Sequence, residues 1–184
     1  QTYQTQGKWD EALNQYKQIN QVKDKDIYTK AELSIAEIFS QRMDPLAAIT
    51  TYQKIAETAP DFKRDAYVKL AEIYKDQKEY EKAIQSYQNA FDAGQGMSQI
   101  KSAEIQFYLA DIYELLNQSE KAVEVYLKIP YLYTTEIGWI LKAYLRTARI
   151  FERDEKWQEA QTIYNKILSY KTEEAKYAQE RIDW

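Results

Sequence analysis

The strongest constraint on the fold of this chain is a pattern of small and aromatic residues that occurs five times. An alanine recurs at intervals of 36, 35, 39 and 38 residues, with a tyrosine four residues after each alanine and an aromatic residue nine before it. The alanines are Ala12, Ala48, Ala83, Ala122 and Ala160, and the tyrosines are Tyr16, Tyr52, Tyr87, Tyr126 and Tyr164. A recurrence of this length predicts stacked copies of one small structural unit.

The spacing inside each copy predicts two antiparallel helices. In the third copy, Ala71 and Tyr74 are three residues apart, and Ala83 and Tyr87 are four apart, which is the helical period and not the strand period. Alanines at a helix crossing let two backbones approach closely, and an aromatic residue one turn away fills the space where the helices diverge. Only 4 glycines and 3 prolines interrupt the 184 residues, so the predicted fold class is all-α.

The pattern resembles the tetratricopeptide repeat (TPR) family. Ala71, Tyr74, Ala83 and Tyr87 match its small and aromatic positions, and Pro60 stands where that family closes a repeat. The resemblance implies a right-handed superhelical solenoid of about five antiparallel helix pairs plus a closing helix. It also implies a non-catalytic scaffold that binds a partner peptide or domain in a concave groove. The alternative is a structural or self-assembling subunit of a multiprotein complex.

The repeats are longer than is usual for that family, and in this they resemble TPR proteins of the bacterial cell envelope. Those include lipoproteins of the BamD type and the periplasmic partner of the Tol-Pal system. The resemblance implies a location in the bacterial periplasm or envelope, with the cytoplasm as the alternative.

We expect one solenoid domain over residues 1–184, and we expect it to be a fragment of a longer chain because Gln1 falls inside a repeat. The predicted repeats are 1–26, 27–61, 62–98, 99–136 and 137–171, with a closing helix over 172–184. In the first copy we expect a turn between Gln6 and Trp9. We also expect Asp61 and Thr172 to cap helices, a loop over 93–98, a helix that ends at Pro130, and an aromatic connector over 131–139.

Composition argues against several functions. The net charge is −4 with mixed acidic and basic residues, whereas nucleic-acid binding needs a concentrated basic surface. Cysteine and histidine are both absent, which excludes disulfides, Cys/His zinc sites and Ser-His-Asp triads. No apolar run reaches the roughly 18 residues of a membrane helix. We therefore predict no enzymatic activity, no cofactor, no metal site and another protein as the partner.

In this family the groove is lined by the first helix of each pair, and the resemblance places five groove candidates there: Glu37, Glu72, Lys75, Tyr108 and Asp111. A basic stripe of Lys142, Arg146, Arg149 and Arg153 follows at spacings of 4, 3 and 4 on one helix face. The stripe has two interpretations: a site for an acidic peptide, in which arginine offers bidentate contacts, or a set of ion pairs with Glu104, Asp111 and Glu114. Acidic residues at positions 37, 72 and 111 argue against a clamp for chaperone tails.

The second candidate site is the aromatic connector, represented by Tyr131, Tyr133 and Trp139. An exposed apolar patch here would dock a partner. The alternative is that the connector packs locally onto the adjacent helices.

Overall fold

The computed structural model describes residues 2–19, 25–94 and 98–183. These residues form ten α-helices, one 3₁₀ turn over Pro60–Phe62 and no strand. The helices are α1 (Thr2–Lys17), α2 (Lys25–Gln41), α3 (Pro45–Thr58), α4 (Lys63–Asp76), α5 (Tyr80–Asp92), α6 (Gln99–Leu115), α7 (Ser119–Leu132), α8 (Ile137–Arg153), α9 (Trp157–Leu168) and α10 (Glu173–Ile182). The predicted all-α fold class is confirmed.

The chain divides into two compact units, residues 1–94 and 95–184. In the first unit α1 packs on α2, α2 on α3, α3 on α4, and α4 on α5. In the second unit the same succession runs from α6 to α10. A single continuous solenoid domain stays a prediction.

The repeated alanines and tyrosines form the core of both units. Ala48, Ala71, Ala83 and Ala122 are fully buried. The tyrosines at positions 52, 87, 126 and 164 are at most 2% exposed. Their burial explains the pattern, since a small residue at each helix crossing and a large ring beside it suit a close-packed interior.

Four tight turns join the helices within a pair, and all four have one geometry. Met43, Lys78, Asn117 and Glu155 have φ between 56° and 61°. Around Lys78, the Lys78 amide donates to the Lys75 carbonyl and the Glu79 amide to the Tyr74 carbonyl, which is the Schellman ending of a helix. The residue after each left-handed one is the N-cap of the next helix, as Glu79 is for α5, where its carbonyl accepts from the Ala83 amide.

The predicted turn in the first copy is wrong. Instead of ending near Gln6 and restarting at Trp9, the chain forms one helix, α1, over Thr2–Lys17. Gly7 lies inside this helix, because a single interior glycine costs only about 1 kcal/mol relative to alanine. On the described part of α1, Trp9 and Leu13 pack against Ile35 and Ile38 of α2.

Two predictions about helix ends need correction. Asp61 does not cap α4, because Pro60 starts a 3₁₀ turn and α4 begins after Phe62 with no side-chain cap. Pro130 does not end α7, which continues to Leu132. It lies in the last turn, where its missing amide removes one hydrogen bond and the Tyr133 amide still bonds the Ile129 carbonyl.

The aromatic connector is shorter than predicted. Since α7 ends at Leu132 and α8 begins at Ile137, only residues 133–136 connect them. Thr172 does occupy the position before α10, without a side-chain bond to that helix's backbone. Of the loop predicted over 93–98, residues 95–97 lie outside the described residues.

Candidate functional site

The basic stripe lies on α8, whose opposite face is buried. Ala143, Tyr144, Thr147 and Ala148 lie in the interior of the second unit. Of the four stripe residues, Arg146 is half-buried and Lys142, Arg149 and Arg153 are exposed. The stripe therefore combines one cation held by the fold with three that reach solvent.

Arg146 is the centre of a polar network between α6, α7 and α8. Its Nη2 atom lies 3.1 Å from Asp111 Oδ1, and its Nε atom lies 3.4 Å from both Glu114 Oε2 and the Tyr126 hydroxyl. The Tyr126 hydroxyl in turn donates to Asp111. One guanidinium thus ties together two carboxylates and the buried tyrosine of the repeat.

The network changes the protonation equilibria of its members. Burial raises the pKa of Tyr126, and the hydrogen bond to Asp111 raises it further. Burial lowers the pKa of Arg146, but its bonds to Tyr126 and the nearby Asp111 and Glu114 outweigh that effect and raise it overall. At neutral pH the tyrosine is therefore neutral and the guanidinium is charged.

Arg153 extends the network along α8. It lies 3.7 Å from Glu114 and 3.3 Å from Asp154, and it donates to the Ser119 hydroxyl at 2.9 Å. Asp111 and Glu114 thus form the ion pairs with the stripe that the second interpretation predicts. Glu104, the third predicted partner, forms no ion pair among the described residues. Because these pairs are part-exposed, each contributes roughly 0–1 kcal/mol.

The other two cations of the stripe stack on aromatic rings. Lys142 Nζ lies 4.1 Å from the centre of the Trp139 ring, and the Arg149 guanidinium lies 5.6 Å from that of Tyr177. Neither has a carboxylate partner within the part of the chain that the structure describes. The rings hold these cations at the surface with their charges uncompensated.

The residues of the aromatic connector separate in the structure. Tyr133 is 7% exposed, and Trp139 packs 5.4 Å from Phe107 and 6.0 Å from Tyr108, measured between ring centres. Tyr131 is 83% exposed, and Leu132 and Ile137, which follow it in the chain, are also exposed. Of the three predicted aromatic residues, Tyr133 is therefore a core residue, Trp139 is half-buried against the core, and Tyr131 is a surface residue.

In the first unit, Glu37 and Glu72 line a cavity of about 350 Å³ between α2 and α4. Lys69, whose Nζ lies 3.0 Å from Glu72 Oε2, and Asp76 also line it. Burial raises the pKa of Tyr52 in the cavity wall, and the charges of Glu37 and Glu72 add to that effect, opposed by a hydrogen bond with Ser40. Lys75, predicted with them, does not line this cavity.

Sequence reasoning missed Lys69 as a residue of the cavity and the Tyr126 hydroxyl as a hydrogen-bonding group of the Arg146 network. A signal for the first was present: Lys69 and Arg146 each precede the first alanine of their repeat, Ala71 and Ala148, by two residues. The equal spacing places the two cations at equivalent positions on the first helices of their repeats.

None of the described helices is long and apolar enough to cross a membrane. Over the described ranges, no group of three or more acidic side chains is placed to hold a metal ion.

The helix pairs and their repeated core define the class of protein, a helical-repeat protein of paired antiparallel helices. Models of the tetratricopeptide repeat match residues 63–129 and 142–170, together about half of the chain. The chain therefore belongs to the tetratricopeptide repeat family.

Solved structures show the same fold. The crystal structure of MamA has 22% sequence identity and a TM-score of 0.69, covering 96% of both chains. BtubC from P. vanneervenii has 18% identity and a TM-score of 0.70, covering 90% of this chain and 71% of its own. A kinesin light chain with TPR-like repeats from Podosopora anserina has 15% identity and a TM-score of 0.66, covering 91% and 89%. A search of curated proteins found no match.

Proposed function

We propose that this protein is a non-catalytic scaffold that binds a segment of a partner protein along the first helices of its repeats. Repeats of this family generally mediate protein–protein interaction. The observation that carries the proposal is the pair of exposed cations on α8, Lys142 and Arg149, each lying over an aromatic ring and neither paired with a carboxylate among the described residues.

These two cations favour an acidic partner segment. A carboxylate that approaches Arg149 gains a charge-assisted, bidentate hydrogen bond. Because the ring of Tyr177 already restricts the guanidinium, less side-chain entropy is lost on binding. Arg146 contributes differently, since its charge is compensated by Asp111 and Glu114. Its role is to hold α6, α7 and α8 together beneath the binding surface.

The test uses a fluorescent acidic peptide of alternating glutamate and aromatic residues and its glutamine counterpart, with binding followed by anisotropy. We expect the acidic peptide to bind and the double variant Lys142→Glu/Arg149→Glu to weaken binding at least tenfold, because charge reversal turns attraction into repulsion. The matched control is Lys128→Glu/Lys166→Glu, which reverses two exposed charges on α7 and α9 of the same unit. Equal weakening by both double variants would contradict a site on α8.

A second candidate function is a self-assembling or bridging subunit of a larger complex. The exposed side chains of Tyr131, Leu132 and Ile137, which are close together in the chain, favour it, because large exposed apolar patches mark interaction sites. Light scattering after size exclusion tests this candidate. Growth of the particle mass with concentration, abolished by Tyr131→Glu, supports it, and a monomer throughout excludes self-assembly.

We also propose an envelope location of the BamD or Tol-Pal type. The support is the repeat length of 35 to 39 residues alone, and none of the solved structures above is described as such a protein. Fractionation of cells that express the full-length protein tests it, and recovery in the cytoplasmic fraction would reject it.

A further inference from the structure

We propose that the cavity between α2 and α4, which we call the acidic cavity, binds an arginine or lysine side chain of a partner segment. Its residues used below are Glu37, Ser40, Tyr52, Lys69, Glu72 and Asp76. The proposal deepens the proposed function and rests on it, since it assigns a second chemical preference to the same class of partner.

The second unit contains the equivalent place with its occupant present. There the carboxylate one residue after the first-helix alanine is Asp111, the residue four after it is Glu114, and the repeat tyrosine is Tyr126. The guanidinium of Arg146, from the first helix of the next pair, contacts all three. In the second unit, a cation placed between a first-helix carboxylate and a repeat tyrosine thus contacts both groups.

In the first unit the corresponding positions are Glu37, Ser40 and Tyr52, and the position of Arg146 is occupied by Lys69. Lys69, however, pairs with Glu72 of its own helix at 3.0 Å. Glu37 remains without a cation among the described residues. Carboxylates are therefore present in both units, but among the described residues a cation from the next helix pair binds them only in the second unit.

At a second position the charge has opposite signs in the two units. Arg153 lies five residues after Ala148 and pairs with Glu114, whereas Asp76 lies five residues after Ala71. Asp76 lines the acidic cavity and has no ion pair in the described part of the chain. The cavity thus carries three carboxylates against the one ammonium of Lys69, where the second unit has two arginines.

The shape and chemistry of the cavity suit a long cationic side chain. Its volume of about 350 Å³ lies in the range of small ligand pockets, roughly 300–1,000 Å³. The half-buried Ile73 offers apolar surface for the methylene stem, and Glu37 and Asp76 lie at the solvent side for the charged end. A metal ion is not the occupant that the geometry favours, since these carboxylates do not form a metal-holding group.

The test is a titration of the ¹⁵N-labelled protein with a blocked eight-residue peptide containing two arginines, and with the same peptide carrying citrulline in their place. We expect amide shifts concentrated on residues 37–41 and 69–76 with the arginine peptide, and at least a fivefold loss of affinity with citrulline. Binding should weaken as salt is raised, because the cavity charges are close to solvent.

Two variants and one control locate the site. Glu37→Gln/Asp76→Asn removes two carboxylates that form no ion pair in the described part of the chain, and we expect it to weaken binding of the arginine peptide at least fivefold. Asp76→Arg places in the cavity the cation that Arg153 supplies in the second unit, and we expect it to abolish binding. The matched control, Glu57→Gln/Glu81→Gln, removes two exposed carboxylates from α3 and α5 and should leave the affinity unchanged.

The outcomes separate this inference from the proposed function. Equal weakening by the control and the cavity variants, or equal binding of the citrulline peptide, would show general attraction to an acidic protein and overturn the inference. Binding of the acidic peptide to α8 without binding of the arginine peptide would overturn the inference and leave the proposed function intact. Failure of both peptides to bind would reject both proposals.

Discussion

At the scale of single residues, the left-handed conformation at four turns is locally unfavourable in free energy. Met43, Lys78 and Glu155 adopt φ near 60°, a region where a side chain beyond glycine costs roughly 1–2 kcal/mol. Asn117 is the exception, because asparagine tolerates this conformation by local hydrogen bonding. The absence of glycine at these positions is why the sequence shows no strong turn signal there.

We therefore expect Lys78→Gly to raise the free energy of unfolding by about 0.5–1 kcal/mol, the relief of strain less the extra entropy of glycine in the unfolded chain. Urea denaturation measures the change. Lys78→Ala is the matched control, since it removes the same side chain without relieving the backbone. A gain with alanine as large as with glycine would show that the side chain, and not the φ angle, is responsible.

The residue scale also explains why the basic stripe is not one site. The four cations share a helix face, yet their neighbours differ: carboxylates face Arg146 and Arg153, and aromatic rings face Lys142 and Arg149. The spacing of 4, 3 and 4 predicts the shared face, but it carries no information on what lies opposite.

At the scale of helices, prolines act according to their position in the helix. Pro45 is the first residue of α3, where its missing amide has no intrahelical partner and its φ suits a helix. Asp44 before it accepts a hydrogen bond from the Ala47 amide at 3.2 Å. Pro130 instead lies inside α7, where it leaves the Tyr126 carbonyl without its helical donor.

We expect Pro130→Ala to raise the free energy of unfolding by about 1 kcal/mol, less than the roughly 3 kcal/mol of a central proline because Pro130 lies in the last turn. Thermal and urea unfolding measure the change. Pro45→Ala is the control, and we expect it to destabilise or leave stability unchanged. A loss of stability in the Pro130 variant would mean that Pro130 favours the α7 end through the unfolded chain.

At the scale of the whole molecule, the repeated tyrosines make the free energy of unfolding decrease with rising pH in the alkaline range. Burial raises the pKa of Tyr52, Tyr126 and Tyr164 above the ordinary value of 10.0. The folded state therefore keeps these protons when the unfolded state has lost them. The stabilisation is fully present below pH 10 and is lost as the pH rises above it.

Each such tyrosine should lower the free energy of unfolding by up to about 1.4 kcal/mol per pH unit above pH 10. We expect Tyr126→Phe to reduce this slope by one tyrosine's contribution, measured by urea denaturation between pH 9 and 11. Tyr131→Phe is the control, because Tyr131 is exposed and should leave the slope unchanged. Equal slopes in the Tyr126 variant and the unmodified protein would contradict ionisation-linked unfolding at this site.

The sequence by itself determined the fold class, the helix pairs from the second copy on, and the core. These follow from contacts between residues one or two helical turns apart and from small residues at helix crossings, which a single repeat already contains. Ala71, Tyr74, Ala83 and Tyr87 are buried for the reason that their spacing indicates. The wrong predictions concern Gly7, Asp61 and Pro130, where a weak breaker or cap competes with the packing of a whole helix.

Only the tertiary structure decided which charged residues are compensated and which remain available. Arg146 meets Asp111 from a helix 35 residues earlier, whereas Lys69, at the same repeat position, turns to Glu72 on its own helix. Such choices depend on side-chain conformation and on neighbours distant in sequence, and the free-energy differences between them are about 1 kcal/mol or less. The repeat pattern determines where these side chains stand, and the packing of neighbouring helices determines what they bind.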